Sequence, residues 1–197
     1  MADLTAFVLA GGKSSRMGSE KAFLRLGGST LLERTLELAR SVAGDVRIVG
    51  TREKFHSLAQ VVEDTYPERG PLGGIHAALS ITHSEFNLIL AVDLPFLKKR
   101  FLEYLVADAR ATNATVTVPR AAGGLQPLCA VYRREFRVLA EEALAAGRNK
   151  IDTLFARSAV RIIEEDELAR FAFSPAMFDN LNTQEEWERA RQRLQQK

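Results

Sequence analysis

The sequence predicts an α/β fold in which a mostly parallel β-sheet is covered by helices on both faces. Three observations predict it. Apolar runs such as "TAFVLA" and "FNLILAV" read as strands buried on both sides. Segments of helical period separate them. A length of 197 residues, 46% hydrophobic and 26% charged, supports one well-buried core. Residues 1–197 are therefore expected to form a single domain.

Taken in order, "TAFVLA" (5–10) is the first strand, and "TLLERTLELAR" (30–40) is an amphipathic helix with Leu32, Leu36 and Ala39 on one face. "DVRIVG" (45–50) and "QVVED" (60–64) read as strands with a short helix between them. "GGIHAALSI" (73–81) is helical, "FNLILAV" (86–92) is a buried strand, and "KKRFLEYLVADAR" (98–110) is a further helix. "ATVTVP" (114–119) and "LCAVY" (128–132) are strands, and the Gly and Pro content of "PRAAGGLQP" (119–127) marks a loop or hairpin between them. A long Ala/Glu/Leu helix (134–146), a strand at "AVRII" (159–163) and a last helix from Thr183 complete the pattern. No internal repeat or low-complexity tract interrupts it.

Composition narrows the function classes. A net charge of only +2 argues against nucleic-acid binding by bulk electrostatics, so any anion site must be local. The single cysteine, Cys129, lies in the apolar stretch "PLCAVY" and reads as a small buried hydrophobe. One cysteine forms no internal disulfide, which fits a reducing compartment. The three histidines show no metal-ligand spacing. The start "MADLTAFVLAGG" lacks a basic n-region and a long apolar core, and no run reaches the roughly 18 apolar residues of a membrane span. A cytoplasmic protein without membrane contact is expected.

In folds of this kind ligands bind at the carboxyl ends of the strands, so the residues after each strand carry the information. After the first comes "LAGGKSSRMGSEK" (9–21). Its Gly-Lys-Ser suggests a Walker loop, but the first glycine of that motif would fall at Phe7, inside the strand. The dinucleotide fingerprint fails too, because Gly11 and Gly12 are adjacent and the next glycine is Gly18. What remains is physical. Gly11 and Gly12 allow close backbone approach to a ligand, the loop can cradle phosphate oxygens, Arg16 can grip a phosphate bidentately and Lys21 can supply a point charge.

After "FNLILAV" comes "DLPFL", where Asp93 either holds Mg²⁺ with water and substrate phosphates or starts a turn before Pro95. After "QVVE" comes "DTYPERGPLGG" (64–74). Asp64 there either contacts a base or ribose or caps a turn. Gly70, Pro71, Gly73 and Gly74 shape a tight loop expected to open into a helix at Ile75.

These segments in this order resemble the molybdenum cofactor guanylyltransferase family. "LAGGKSSRMGSEK" is similar to the signature L-A-G-G/A-x-x-x-R-M-G-x-x-K of nucleotidyltransferases, and "EDTYPERGPLGG", "AVDLPFL", "LQPLCAVY" and "FDNLNTQEEW" fall at further segments of that family. The likeness runs from about residue 5 to residue 190. It implies a three-layer α/β/α sandwich, nucleotide-diphospho-sugar transferase-like and Rossmann-like. It also implies that Leu9, Ala10, Gly11, Gly12, Lys21, Asp64 and Asp93 bind GTP, with Asp93 holding Mg²⁺. The implied reaction joins GMP from GTP to the terminal phosphate of molybdenum-bound molybdopterin and releases pyrophosphate. GTP and molybdenum-molybdopterin are then the substrates, with molybdoenzymes or their chaperones as further partners. The paired Gly11 and Gly12 favour guanine, since related cytidylyltransferases usually have Ala-Gly there. One departure stands out: some relatives carry Asn after the second strand, where this chain has Val49 and Gly50, so contacts to the nucleotide there would have to come from backbone groups.

The chemistry needs no general base, because a phosphate monoester is already a dianionic nucleophile near neutral pH. Arg16, Lys21 and Asp93 are the expected catalytic groups, acting by charge neutralisation and positioning. For the acceptor, Arg148 and Lys150 after the long helix are candidates for its phosphate, or else complement a helix C-terminus. Asn180 and Asn182 are candidates for the pterin, or else serve a turn and a helix cap before Thr183. Two other readings stay open: a cytidylyltransferase or sugar-phosphate nucleotidyltransferase on the same scaffold, and a nucleotide-binding accessory module without catalysis.

Overall fold

The computed structural model describes residues 3–11, 21–181 and 183–195. Strand β1 (Leu4–Leu9) is followed by a short hairpin, β2 (Arg25–Leu26) and β3 (Ser29–Thr30), and by helix α1 (Leu31–Arg40). Thr30 starts α1 with a reciprocal capping box. Its hydroxyl accepts from the Glu33 N–H at 3.1 Å while the Glu33 carboxylate accepts from the Thr30 N–H at 2.7 Å. Next come β4 (Asp45–Val49), α2 (Arg52–Phe55), β5 (Gln60–Val62), α3 (Pro71–Ile81) and β6 (Phe86–Ala91).

The second half runs through α4 (Lys99–Ala111), β7 (Val116–Ala121), β8 (Gly124–Leu125), β9 (Cys129–Arg133), α5 (Phe136–Ala145) and α6 (Asp152–Phe155). It ends with β10 (Val160–Ile163), α7 (Glu165–Arg170) and α8 (Gln184–Gln195). Thr183 itself caps α8, accepting from the Glu186 N–H at 3.2 Å.

The main sheet has the order β10-β7-β9-β6-β1-β4-β5, with β8 paired to β7. Along that path every neighbouring pair is parallel except those of β9, which runs antiparallel to both β6 and β7. The period of two along β1 sorts its side chains onto opposite faces. Leu4, Ala6 and Val8 join a core with α1, α4 and α8, whereas Phe7 joins a second core with α3 and α5. Strand β6 repeats the division, with Leu88 and Leu90 on one side and Ile89 on the other. The chain is therefore a three-layer α/β/α sandwich on a mostly parallel sheet. Inside it, the hydroxyl of fully buried Tyr132 donates to the Pro127 carbonyl at 2.8 Å.

Two expectations are refined. The segment 119–127 is a hairpin, in which Arg120 pairs with Leu125 and Ala121 with Gly124. Its two turn residues, Ala122 and Gly123, have φ of 51° and 73°, the left-handed pair that suits a two-residue hairpin. Helix α3 starts at Pro71 rather than Ile75, so Gly73 and Gly74 lie in its first turn. Proline suits that first position, where no N–H is needed. Among the described residues, no helix is long and apolar enough to cross a membrane.

Candidate active site

The register of the central strands brings the first loop and the Asp93 segment together. Leu9 lies opposite Val49 on one side and Ala91 on the other. Beyond that row the chain leaves the sheet on all three strands, and the candidate residues sit there. The N–H groups of Ala10 and Gly11 both donate to the Val49 carbonyl, at 3.0 and 3.2 Å, which fastens the start of the first loop to the end of β4.

Lys21 and Asp93 meet directly. Lys21 Nζ lies 3.2 Å from Asp93 Oδ2, with the two side chains 14% and 23% exposed. Partial burial leaves this pair less screened than a surface contact. Lys21 opens a single 3₁₀ turn, Lys21–Phe23, and the Leu24 N–H closes it on the Lys21 carbonyl at 3.1 Å. An anion on Lys21 and a cation on Asp93 would thus lie side by side.

Asp64 serves its own loop. Its Oδ1 accepts from the Tyr66 N–H at 2.7 Å, an Asx turn, and burial pushes its carboxyl above the usual carboxylate range. A Cβ on Gly73 would fall 2.6 Å from Asp64 Oδ2 and 2.9 Å from the Tyr66 carbonyl. Glycine at 73 is what lets the loop after β5 lie against the start of α3. The turn-capping alternative for Asp64 is therefore realised, whatever second contact its Oδ2 makes.

Val49 and Gly50, the point of departure from the family pattern, are engaged within the protein. The Val49 carbonyl carries the two bonds from the first loop, and the Gly50 N–H donates to the Val62 carbonyl at 3.0 Å. A Cβ on Gly50 would lie 2.7 Å from Phe55 Cε2. The Phe55 ring takes the space a side chain would use, and Phe23 stacks on it with centroids 5.6 Å apart.

On the other side of Asp93 lies a cleft of about 270 Å³ lined by Asp93, Gln126, Pro127, Leu128 and Asn180, among others. It exists because β9 is antiparallel. Its start, rather than its end, reaches this edge, and the Ala91 N–H donates to the Leu128 carbonyl at 2.8 Å. Asn180 arrives from the far end of the chain, anchored where the Leu181 N–H donates to the Asp93 carbonyl at 3.2 Å. Arg193 of α8 steadies the same segment, lying 3.3 Å from Asp179 and 4.2 Å over the Phe96 ring. A larger cavity of about 330 Å³, between α1 and the segment Leu94–Lys99, holds none of the expected site residues.

Arg148 and Lys150 are exposed and do not line the cleft. Arg148 belongs to a Schellman motif that ends α5. Gly147 has φ of 73°, the Arg148 N–H donates to Ala143 and the Gly147 N–H to Leu144. Neither cation has an ion-pair partner among the described residues. Gly12, Lys13, Arg16 and Asn182 lie outside the described residues. Gln126 is a residue that sequence reasoning missed; its one signal there is a polar side chain in the Gly- and Pro-rich segment 119–127.

A family model described as the MobA-like NTP transferase domain matches residues 6–163. A molybdenum cofactor guanylyltransferase from Desulfosudis oleivorans is 35% identical over 190 residues, spanning 95% of this chain and 94% of its own. A probable molybdenum cofactor guanylyltransferase from Carboxydothermus hydrogenoformans is 32% identical over 190 residues, with 96% and 95% covered. Among solved structures, molybdopterin-guanine dinucleotide biosynthesis protein A from Archaeoglobus fulgidus superposes with a TM-score of 0.86 at 27% identity, covering 98% of this chain and 100% of that one. On matched length, identity and fold together, the chain belongs to the family of the MobA-like NTP transferase domain.

Proposed function

We propose that this protein is a molybdenum cofactor guanylyltransferase, which transfers GMP from GTP to the terminal phosphate of molybdenum-bound molybdopterin and releases pyrophosphate. The observation that carries the reading is the Lys21–Asp93 pair at 3.2 Å, set between the nucleotide-side loops and the cleft at Asn180. The names of the relatives supply the base and the acceptor.

In this reading the two substrates lie on opposite sides of β6. Leu9 at the end of β1, Ala10 and Gly11 directly after it, and Asp64 after β5 lie on one side of β6 and bind the nucleotide. Asn180 lies on the β9 side and meets the pterin. The acceptor phosphate, already anionic, attacks the α-phosphate in line, and pyrophosphate departs from the opposite face. Lys21 neutralises charge that builds on the β- and γ-phosphates, with Arg16 as its partner in this role. Asp93 offers one hard carboxylate, and a carboxylate with phosphate oxygens and water is the usual donor set of Mg²⁺. Mg²⁺ held there would polarise the α-phosphate. No side chain has to remove a proton from the nucleophile. Gly12 completes the backbone approach to the nucleotide, while Asn182, Arg148 and Lys150 are the remaining candidates on the acceptor side.

Competition among GTP, CTP and UTP, combined with pyrophosphate release when molybdenum-molybdopterin is supplied, tests the reading. Preference for GTP and acceptor-dependent release are expected. Preference for CTP would convert the reading to a cytidylyltransferase, and tight GTP binding without release would leave a nucleotide-binding module.

A further inference from the structure

Gln126 lines the cleft with half of its carboxamide already committed. Its Nε2 donates to the Ala121 carbonyl at 3.1 Å and to the Gly124 carbonyl at 3.5 Å. A carbonyl accepts only from a donor, so these two contacts decide which end of the amide faces the β7–β8 hairpin. Oε1 must point the other way. It has no partner among the described residues and is reached by solvent, on a residue that lines the cleft.

The support behind this amide is rigid. The Gln126 N–H donates to the Pro119 carbonyl at 2.9 Å. The hairpin turn is tied to α7, because the Gly123 N–H donates to Glu165 Oε1 at 3.0 Å and Arg120 Nε to Glu164 Oε2 at 2.8 Å. Asn180 is on the same cleft and is itself fixed through Leu181 to the Asp93 carbonyl. Two carboxamides on fixed supports suit a flat heterocycle whose edge alternates N–H donors with carbonyl acceptors.

We propose that Gln126 is a specificity-determining residue for the acceptor: its Oε1 accepts a ring or amino N–H of the pterin and so aims the acceptor's phosphate end at Lys21 and Asp93. The inference rests on the transfer reaction proposed above. Guanine is the other heterocycle in that reaction, but Gln126 lies across β6 and β9 from the loops after β1 and β5. The test must therefore separate the two substrates.

Gln126→Met keeps the length of the side chain and removes both polar ends. GTP–Mg²⁺ affinity would be measured by calorimetry, and the acceptor KM by pyrophosphate release with molybdenum-molybdopterin. We expect GTP affinity within twofold of wild type and an acceptor KM raised about five- to tenfold, the effect of losing one neutral hydrogen bond in a shielded site. A soluble pterin without the phosphate should compete with the acceptor correspondingly less well in the variant. An acceptor KM within twofold of wild type overturns the inference, as does an equal loss of GTP affinity. If Gln126→Met fails to fold, the same readings are taken on Gln126→Asn, whose shorter arm withdraws the oxygen. Wild-type protein that releases no pyrophosphate with acceptor present would instead overturn the transfer reaction itself.

Discussion

Gly73 shows how a single residue can be fixed by a neighbour distant in sequence. Alanine has about 1 kcal/mol better helix propensity than glycine, which alone would favour Gly73→Ala in α3. Against that, the new Cβ would sit 2.6 Å from the Asp64 carboxylate and 2.9 Å from the Tyr66 carbonyl, so the loop must move. Overpacking of this kind costs more than the propensity gains, and Gly73→Ala should lower the urea-unfolding free energy by about 1–2 kcal/mol. In an Asp64→Ala background the loss should shrink, a coupling measurable by a double-mutant cycle. Asp93→Ala carries the opposite signature: turnover should vanish with Mg²⁺ present while the circular dichroism spectrum and melting temperature stay near wild type. Near-normal activity in that variant would remove Asp93 from the metal role. Asp93 and Lys21 were legible in the sequence because each follows a recognisable strand or motif. The need for glycine at 73 was not, because it depends on where the carboxylate of Asp64 comes to rest.

At the scale of the element, α3 contains a pH-dependent contribution to stability. His76 is buried on this helix, with Nδ1 3.5 Å from Thr65 Oγ1, Nε2 3.4 Å from Ser80 Oγ and its ring edge-on to Tyr66. Burial pulls its pKa below the ordinary 6.5, with Arg137 acting the same way and Glu141 and Asp64 opposing it. The unfolded chain therefore binds the proton more readily than the folded one. The histidine's contribution is full above pH 6.5 and is lost as the pH falls from there through the lowered folded value. Unfolding free energy should fall on acidification over that range, and His76→Gln should flatten the slope. Asp64 acts with the other sign at lower pH, since its raised value makes stability decrease as pH climbs above the ordinary 3.8. Helical periodicity located α3 in the sequence at 73–81, two residues late, while the Gly and Pro content of the loop before it set the opening at Ile75. Pro71 at the first position and the carboxylate behind Gly73 explain why the helix includes Gly73 and Gly74.

For the molecule as a whole, the proposed reaction puts the nucleotide and the acceptor on different sides of β6 in the sheet order, and this division can be tested. Asn180→Ala should leave GTP affinity within about twofold while raising the acceptor KM about tenfold, as loss of a shielded hydrogen bond implies. Equal effects on both substrates would show that the two halves of the edge are not separable. The sequence by itself determined the α/β class, nearly every strand and long helix, and the family. Those features live in local periodicity and in motifs whose chemistry is bound to residue type. It also brought forward Asp93 and Lys21 as catalytic groups, and their direct pairing came from the structure. Only the tertiary structure decided that β9 reverses direction, so that "LQPL" reaches the edge at Asp93 and Gln126 turns one end of its amide into the cleft. Strand direction leaves no mark on an apolar run buried on both faces, because parallel and antiparallel neighbours bury the same side chains. The same limit explains why Asn180, distant in sequence from Asp93, had no visible neighbour until the Leu181 N–H met the Asp93 carbonyl.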